Sequence, residues 1–179
     1  VIADDDYRAL LSAFPAGVAV VTARDAAGEP CGMTCSTVTG VTLSPPTLLV
    51  CLRAGSRTAD AVRLRGAFAV NLLHAKARQA AEVFSSPIAD RFARVCWDES
   101  WCGLPWLKDD AFALAECVVT NSVEVGDHSV LFGRVARVVR TEETAALVYG
   151  LRQFWAWDPK TGDHTAFTGT DRRRGEVAP

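Results

Sequence analysis

No surplus of positive charge marks this chain. Its 19 Lys and Arg stand against 21 Asp and Glu, a formal charge of −2 with His neutral, which argues against a general nucleic-acid binder. The one basic run, Arg172-Arg173-Arg174, sits among Gly, Thr and Asp and reads as part of a C-terminal tail. No apolar run approaches the ~20 residues of a membrane-spanning helix. The first residues, VIADDDYRALLSAF, are acidic and amphipathic, unlike a signal peptide, so a cytoplasmic protein is expected. The six cysteines, at 31, 35, 51, 96, 102 and 117, form no CxxC pair, and no histidine lies at ligand spacing near them. No metal site is therefore expected. Four of the six fall in strand-like segments, where a thiol behaves as a small apolar group, and a reducing compartment disfavours disulfides. Also missing are a GxGxxG turn, a Ser-His-Asp spacing and a paired-carboxylate pattern. The first removes the usual dinucleotide-binding turn; the others leave hydrolysis by side chains alone without support.

What is present is core-forming material. With 179 residues, 49% of them hydrophobic, the chain can bury one core. Asp5 or Asp6 is placed to cap a first helix, on which Tyr7, Leu10, Leu11 and Phe14 fall on one face before Pro15 ends it. GVAVVTA at 17–23 reads as a strand, AAGEP at 26–30 as a hairpin turn, and CGMTCSTVTGVTL as one returning strand. Pro45-Pro46 breaks the run before a third strand, TLLVCLR. A short helical stretch to Arg65 leads to the strand AFAVNLL at 67–73 and a helix over 75–84, with Ala77, Ala80, Ala81 and Phe84 on one side. Residues 85–110 read as irregular. AFALAECVVTNSVEV and SVLFGRVARVVR form two strands around the tight turn Gly126-Asp127-His128, and a last strand pair surrounds 147–149 and 154–157. Many strands, few helices and hairpin connections predict a mainly β fold, an antiparallel barrel with peripheral helices. Residues 1–160 form its one domain and 161–179 a tail.

Two segments carry chemistry in this reading. The returning strand holds Thr34, Ser36, Thr37, Thr39 and Thr42 beside Val38, Val41 and Leu43. Such hydroxyls either decorate a solvated sheet face, where Thr has good strand propensity, or hold a polar ligand. Gly55-Ser56-Arg57-Thr58 follows an apolar strand and opens a helix. Free N–H groups there, with two hydroxyls and an Arg, suit a phosphate; equally, Ser56 simply caps the helix. Asp127 either orients His128 or shapes its turn. Arg91-Phe92, taken alone, is a surface Arg beside a buried Phe. Trp155 and Trp157 read as core or interface packing.

The order of these motifs resembles the flavin reductase family. It runs FPAGVAVVTA, GMTCSTVTGVTLSPPTLLVCL, SRT, FAVNLL, RF, GLPWL, AECVV, GDHSVLFGRV and LVY, over roughly residues 7–157. The resemblance implies an FMN-binding split β-barrel, a homodimer with the flavin near the subunit interface. It further implies transfer of a hydride from NADH or NADPH to FMN or FAD, with reduced flavin supplied to a partner monooxygenase. In that family the segment matching Thr34-Cys35-Ser36-Thr37 runs along the flavin, Ser56-Arg57-Thr58 receives the phosphate, and Arg91-Phe92 lies by the cofactor. Cys51 and Tyr149 are also implied as cofactor-binding positions, and His128 as the residue on the nicotinamide side. A flavin-binding module without turnover and an FMN-dependent oxidase of the same barrel type are the alternatives. One departure stands out: after Leu147-Val148-Tyr149 the chain reads Gly150-Leu151-Arg152-Gln153-Phe154, where relatives carry a His-Arg-Gly-Arg-Tyr-like run.

Overall fold

The computed structural model describes residues 2–143 and 145–160, and the backbone alone of 164–166. Helix α1 (Asp4–Ser12) leads into strands β1 (Ala16–Gly17), β2 (Ala19–Arg24), β3 (Pro30–Cys35), β4 (Val38–Leu43) and β5 (Pro46–Arg53). Then come α2 (Arg57–Arg65), β6 (Ala67–Leu73), α3 (Arg78–Ser85), a 3-10 turn at Arg91–Arg94 and the short pair β7 (Asp98–Glu99) and β8 (Pro105–Trp106). The long hairpin β9 (Ala111–Val125) and β10 (His128–Arg140) precedes β11 (Ala146–Gly150), β12 (Gln153–Trp157) and β13 (His164–Ala166). The expected tail, with Arg172-Arg173-Arg174, lies outside the described residues, except that the 164–166 backbone pairs with β12.

Seven strands form one antiparallel sheet in the order β3-β2-β6-β9-β10-β5-β4. Its two edge strands, β3 and β4, are joined by Ser36 and Thr37 alone. Laid flat, seven strands would hold their edges about 29 Å apart, while so short a link reaches only about 11 Å. The sheet must therefore roll up until its edges meet. They do so at a seam where the Cys35 Sγ lies 3.4 Å from the Cys51 carbonyl and the Cys51 N–H reaches the Thr37 carbonyl at 3.4 Å. The expected single strand CGMTCSTVTGVTL is thus two strands, because the chain crosses the seam at Ser36-Thr37.

Ala19, Val21, Val50, Leu52, Phe68, Val70, Cys117 and Leu131 fill the rolled interior, and α2 adds Ala59 and Val62. Gly133 on β10 lets the Phe68 ring lie against the backbone: a Cβ there would come within 2.5 Å of it. Outside, α3 packs Ala81 and Phe84, with Ala77 just before it, against Val18, Val20, Leu73 and Leu147. Because both faces of β2 are covered, its sequence is a near-continuous apolar run and does not alternate. Residues 97–107 strap the remaining outer face through buried polar anchors. The Thr22 hydroxyl donates to the Pro105 carbonyl at 2.6 Å, Asn71 Oδ1 accepts from the Leu107 N–H, and Glu116 accepts from the Cys102 N–H.

The smaller sheet runs β1-β11-β12-β13. Helix α1 has no side-chain cap. Ala3 precedes it in extended conformation, and Asp4, Asp5 and Asp6 occupy the first turn, where they suit the helix dipole. The expected cap at Asp5 or Asp6 therefore falls one turn too late. Similarly, α3 starts at Arg78 and not at 75, after Lys76 donates its N–H to the His74 ring. The helix ends at Ser12, so of the expected apolar face Tyr7, Leu10 and Leu11 lie on α1 while Phe14 falls two residues beyond it; all four are exposed, Phe14 by 78%.

Candidate functional site

A cleft of about 240 Å³ opens where β3, α2 and the 3-10 turn converge, with Pro30, Cys31, Gly32, Arg57 and Thr58 on its sides and Ile88, Ala89, Arg91 and Phe92 across from them. Local sequence explains the α2 contribution. Gly55, at φ +72°, turns the chain out of β5. Ser56 is extended, and its Oγ accepts the Ala59 N–H at 3.2 Å, so it does cap the helix. Arg57 and Thr58 then occupy the first turn, where unpaired N–H groups and the helix dipole favour an anion. Capping and anion binding are thus compatible uses of one turn.

Arg57 is held by Asp25, a residue the sequence alone does not single out. Its Nε and Nη2 donate to Asp25 Oδ2 at 3.0 and 2.6 Å. Asp25 Oδ1 accepts the N–H groups of Ala27 and Glu29, each at 3.0 Å. The Arg57 hydrogen bond holds the Asp25 carboxyl below its usual range and raises the guanidinium in return. Nη1 of Arg57 makes no hydrogen bond among the described residues and remains available at the cleft.

Arg91 is largely spent on the fold. Nε and Nη2 donate to the Ser86 carbonyl at 3.1 and 2.6 Å, and Nη1 donates to the Gly32 carbonyl at 2.8 Å. It staples the end of α3 to β3 and still brings positive charge to the cleft wall. Phe92 packs edge-on against Phe84 and Trp97, with centroids 5.0 and 5.5 Å apart. Gly32 is needed for close approach, since a Cβ would lie 3.1 Å from both the Phe84 ring and the Val21 carbonyl.

Thr34, Cys35, Ser36, Thr37, Cys51, His128 and Tyr149 do not line this cleft. Thr34 donates its hydroxyl to the Ala81 carbonyl at 2.7 Å, docking α3 on β3. Cys35 is buried at the seam, and Cys51 is half-buried opposite it. Ser36 and Thr37 are exposed there, and their hydroxyls make no hydrogen bond among the described residues. His128 is the first residue of β10 and not part of the two-residue turn. It pairs with Arg53 across the sheet, its Nδ1 lies 2.8 Å from Asp127 Oδ1, and the Asp127 carbonyl accepts the Ala54 N–H at 2.9 Å. The turn is thereby fixed to the strand end that feeds Gly55-Ser56, so His128 and the α2 terminus share one rim. The His128 hydrogen bond keeps the Asp127 carboxyl below its usual range. Tyr149 sits on the smaller sheet, its ring 5.0 Å from Phe154.

A larger cavity, about 350 Å³, lies on that smaller sheet between Ala13, Pro15, Val148, Leu151, Trp155 and Trp157. Its lining holds no charged, hydroxyl or imidazole group, so size does not make it the reaction site.

The polar cleft and seam hold no activated nucleophile. Burial raises the Cys31 and Cys35 thiols to about 11 and Cys117 to about 12, which keeps them protonated near neutrality. Among the described residues no group of three or more His, Cys, Asp or Glu is placed to hold a metal ion. Two guanidinium groups, a helix N-terminus and open seam hydroxyls suit a phosphate-bearing organic cofactor. Pro30, Cys31, Ile88, Ala89 and Asp25 escaped the sequence reading. Pro30, Ile88 and Ala89 carry no functional group, Cys31 reads as a buried thiol, and Asp25 acts on a partner distant in sequence.

Comparison with known proteins agrees with this geometry. Residues 11–158 match the flavin reductase like domain. The chain is 56% identical over 156 residues to a flavin reductase (NADPH) of Lentzea aerocolonigenes, covering 87% of this chain and 91% of that one. It is 39% identical over 163 residues to a flavin reductase (NADH) of Kitasatospora aureofaciens, covering 88% and 85%. Its fold matches the flavin reductase of styrene monooxygenase from Pseudomonas putida S12 with a TM-score of 0.78 and 29% identity, over 86% of this chain and 97% of that one.

Proposed function

The chain belongs to the flavin reductase like family and is an NAD(P)H:flavin oxidoreductase, and from that premise we propose how its own residues carry the reaction. Residues 1–160 are the working domain. The flavin phosphate binds at Ser56-Arg57-Thr58, on the free N–H groups of the α2 first turn and the open Nη1 of Arg57. The observation that carries this assignment is the meeting of Arg57, Thr58 and Arg91 in one cleft at a helix N-terminus. When bound, FMN or FAD supplies the redox chemistry by accepting a hydride from NADH or NADPH. The protein's part is to bind, orient and exclude water.

Ser36 and Thr37, exposed at the seam, would hold the flavin by hydroxyl hydrogen bonds, and the neighbouring main-chain N–H groups would favour its negatively charged reduced form. Protonated Cys35 and Cys51 add contact area without a competing nucleophile. Asp127 holds Nδ1 of His128, which leaves Nε2 to meet the incoming nucleotide. The reduced flavin then passes to a partner monooxygenase in the cytoplasm. A second copy of the chain covers the apolar face of α1 and the adjoining Trp155 and Trp157 groove, giving a homodimer.

The test is flavin titration by fluorescence. Arg57→Ala is expected to weaken FMN binding by about 1–3 kcal/mol, the scale of a lost charged hydrogen bond, and to leave riboflavin, which has no phosphate, unaffected. Equal loss for both flavins, or none for either, rejects the phosphate assignment.

A further inference from the structure

We propose that Asp25 is a built-in counter-ion that competes with the flavin phosphate for Arg57 and so keeps the flavin exchangeable. This rests on the phosphate assignment above. Asp25 is not a casual surface partner. Its Oδ1 is fixed by the N–H groups of Ala27 and Glu29, and its carbonyl accepts Nε and Nη2 of Arg65 at 3.2 and 2.9 Å. The turn between β2 and β3 is thus tied to both ends of α2, by Arg57 at the start and Arg65 at the end. This leaves Oδ2 set against the Nε–Nη2 edge of Arg57.

A guanidinium has five N–H donors, and its Nε–Nη2 edge is one of the two that match a phosphate bidentately. In this protein that edge is already taken. An arriving phosphate finds the helix N–H groups and Nη1, but it meets an arginine whose charge is offset by a neighbouring carboxylate. The same hydrogen bond that occupies the edge keeps Asp25 ionised well below neutral pH. A carboxylate some 6 Å from a phosphate, in a water-like dielectric, weakens binding by about three- to tenfold.

A weaker grip has a use here. A reductase that passes its product on must release reduced flavin, and differences in affinity within one site are carried mostly by the dissociation rate. Removing the competitor should therefore slow release more than it speeds capture.

Asp25→Asn is the test, because Asn keeps an oxygen for the Ala27 and Glu29 N–H groups while removing the charge. FMN titrations, riboflavin titrations and stopped-flow FMN release are measured on the wild type, Asp25→Asn and Arg65→Ala. The expected result for Asp25→Asn is an FMN Kd lower by about three- to tenfold, a matching fall in release rate, and no change for riboflavin. Arg65→Ala loosens the same turn without touching the carboxylate and should leave the FMN-to-riboflavin ratio as in wild type. If Asp25→Asn leaves FMN affinity unchanged, weakens it, or shifts both flavins equally, the proposal is overturned, and weakening alone would make Asp25 a positioning residue. Failure of the phosphate assignment reads differently: it appears as an Arg57→Ala variant that does not distinguish FMN from riboflavin.

Discussion

The two sheets solve the burial problem differently. The seven-stranded sheet rolls on itself, and what it cannot enclose it covers with α2, α3 and the strap at 97–107. Its buried polar groups Thr22, Asn71 and Ser129 have partners, while buried Glu116 on β9 engages Oε1 alone and leaves Oε2 unpaired among the described residues. By contrast, the smaller sheet stops half-finished. Its groove is apolar, and α1 with the turn after it exposes Tyr7, Leu10, Leu11 and Phe14. The Leu151 N–H donates to the Ser12 carbonyl at 2.5 Å, so the helix end and the β11–β12 turn form one continuous surface. The first region covers its own core and carries the polar cleft; the second leaves a continuous apolar surface open.

Three substitutions would break or sharpen this contrast. Phe68 is fully buried at the centre of the rolled sheet, against Gly133. Phe68→Ala should cost about 3–5 kcal/mol of stability by urea unfolding. A loss below 1 kcal/mol would mean the rolled interior is not the main core. Phe14→Asp addresses the other region. At a solvated turn it would change stability by less than about 0.5 kcal/mol, but at a subunit interface it places a charge against apolar surface and should weaken association by about 2–3 kcal/mol. Sedimentation at micromolar concentration decides: a variant that keeps the wild-type mass removes Phe14 and the turn after α1 from any interface. The smallest effect concerns His128→Ala on the rim of the seven-stranded sheet. It should lower kcat/KM for NADH about tenfold, or about 1.4 kcal/mol, with flavin affinity and mass unchanged. Loss of flavin binding with intact NADH kinetics would put His128 on the other ligand.

How much of this was legible beforehand depends on how local the determinants are. Hairpins and β-rich segments could be read because valine runs and turn residues act over a few positions. The amphipathic face of α1 could be read too, but not its exposure, because periodicity says nothing of what covers a face. The break at Ser36-Thr37 could not be read: both residues suit a strand, and only the rolling of the whole sheet forces the crossing there. In the site, the Ser56 cap and the start of α2 lie within four consecutive residues and could be read. Arg91 was placed by resemblance alone, and the structure adds that most of its donors serve Ser86 and Gly32. Asp25 could not be read at all, because its partner, Arg57, lies beyond any local pattern.

The two-residue link at Ser36-Thr37 also bears on the order of assembly. The strand pairs β2–β3 and β4–β5 are each neighbours in sequence, so each can form as a local hairpin with little loop-closure entropy to overcome. The link joins them back to back as two arms of a hinge. Strands β6, β9 and β10 come from later in the chain and must fill the gap between β2 and β5. The corner that looks like the closure of the barrel is therefore its hinge. The slow event should be the arrival of the distant strands on the opposite wall, where contacts are longest in sequence.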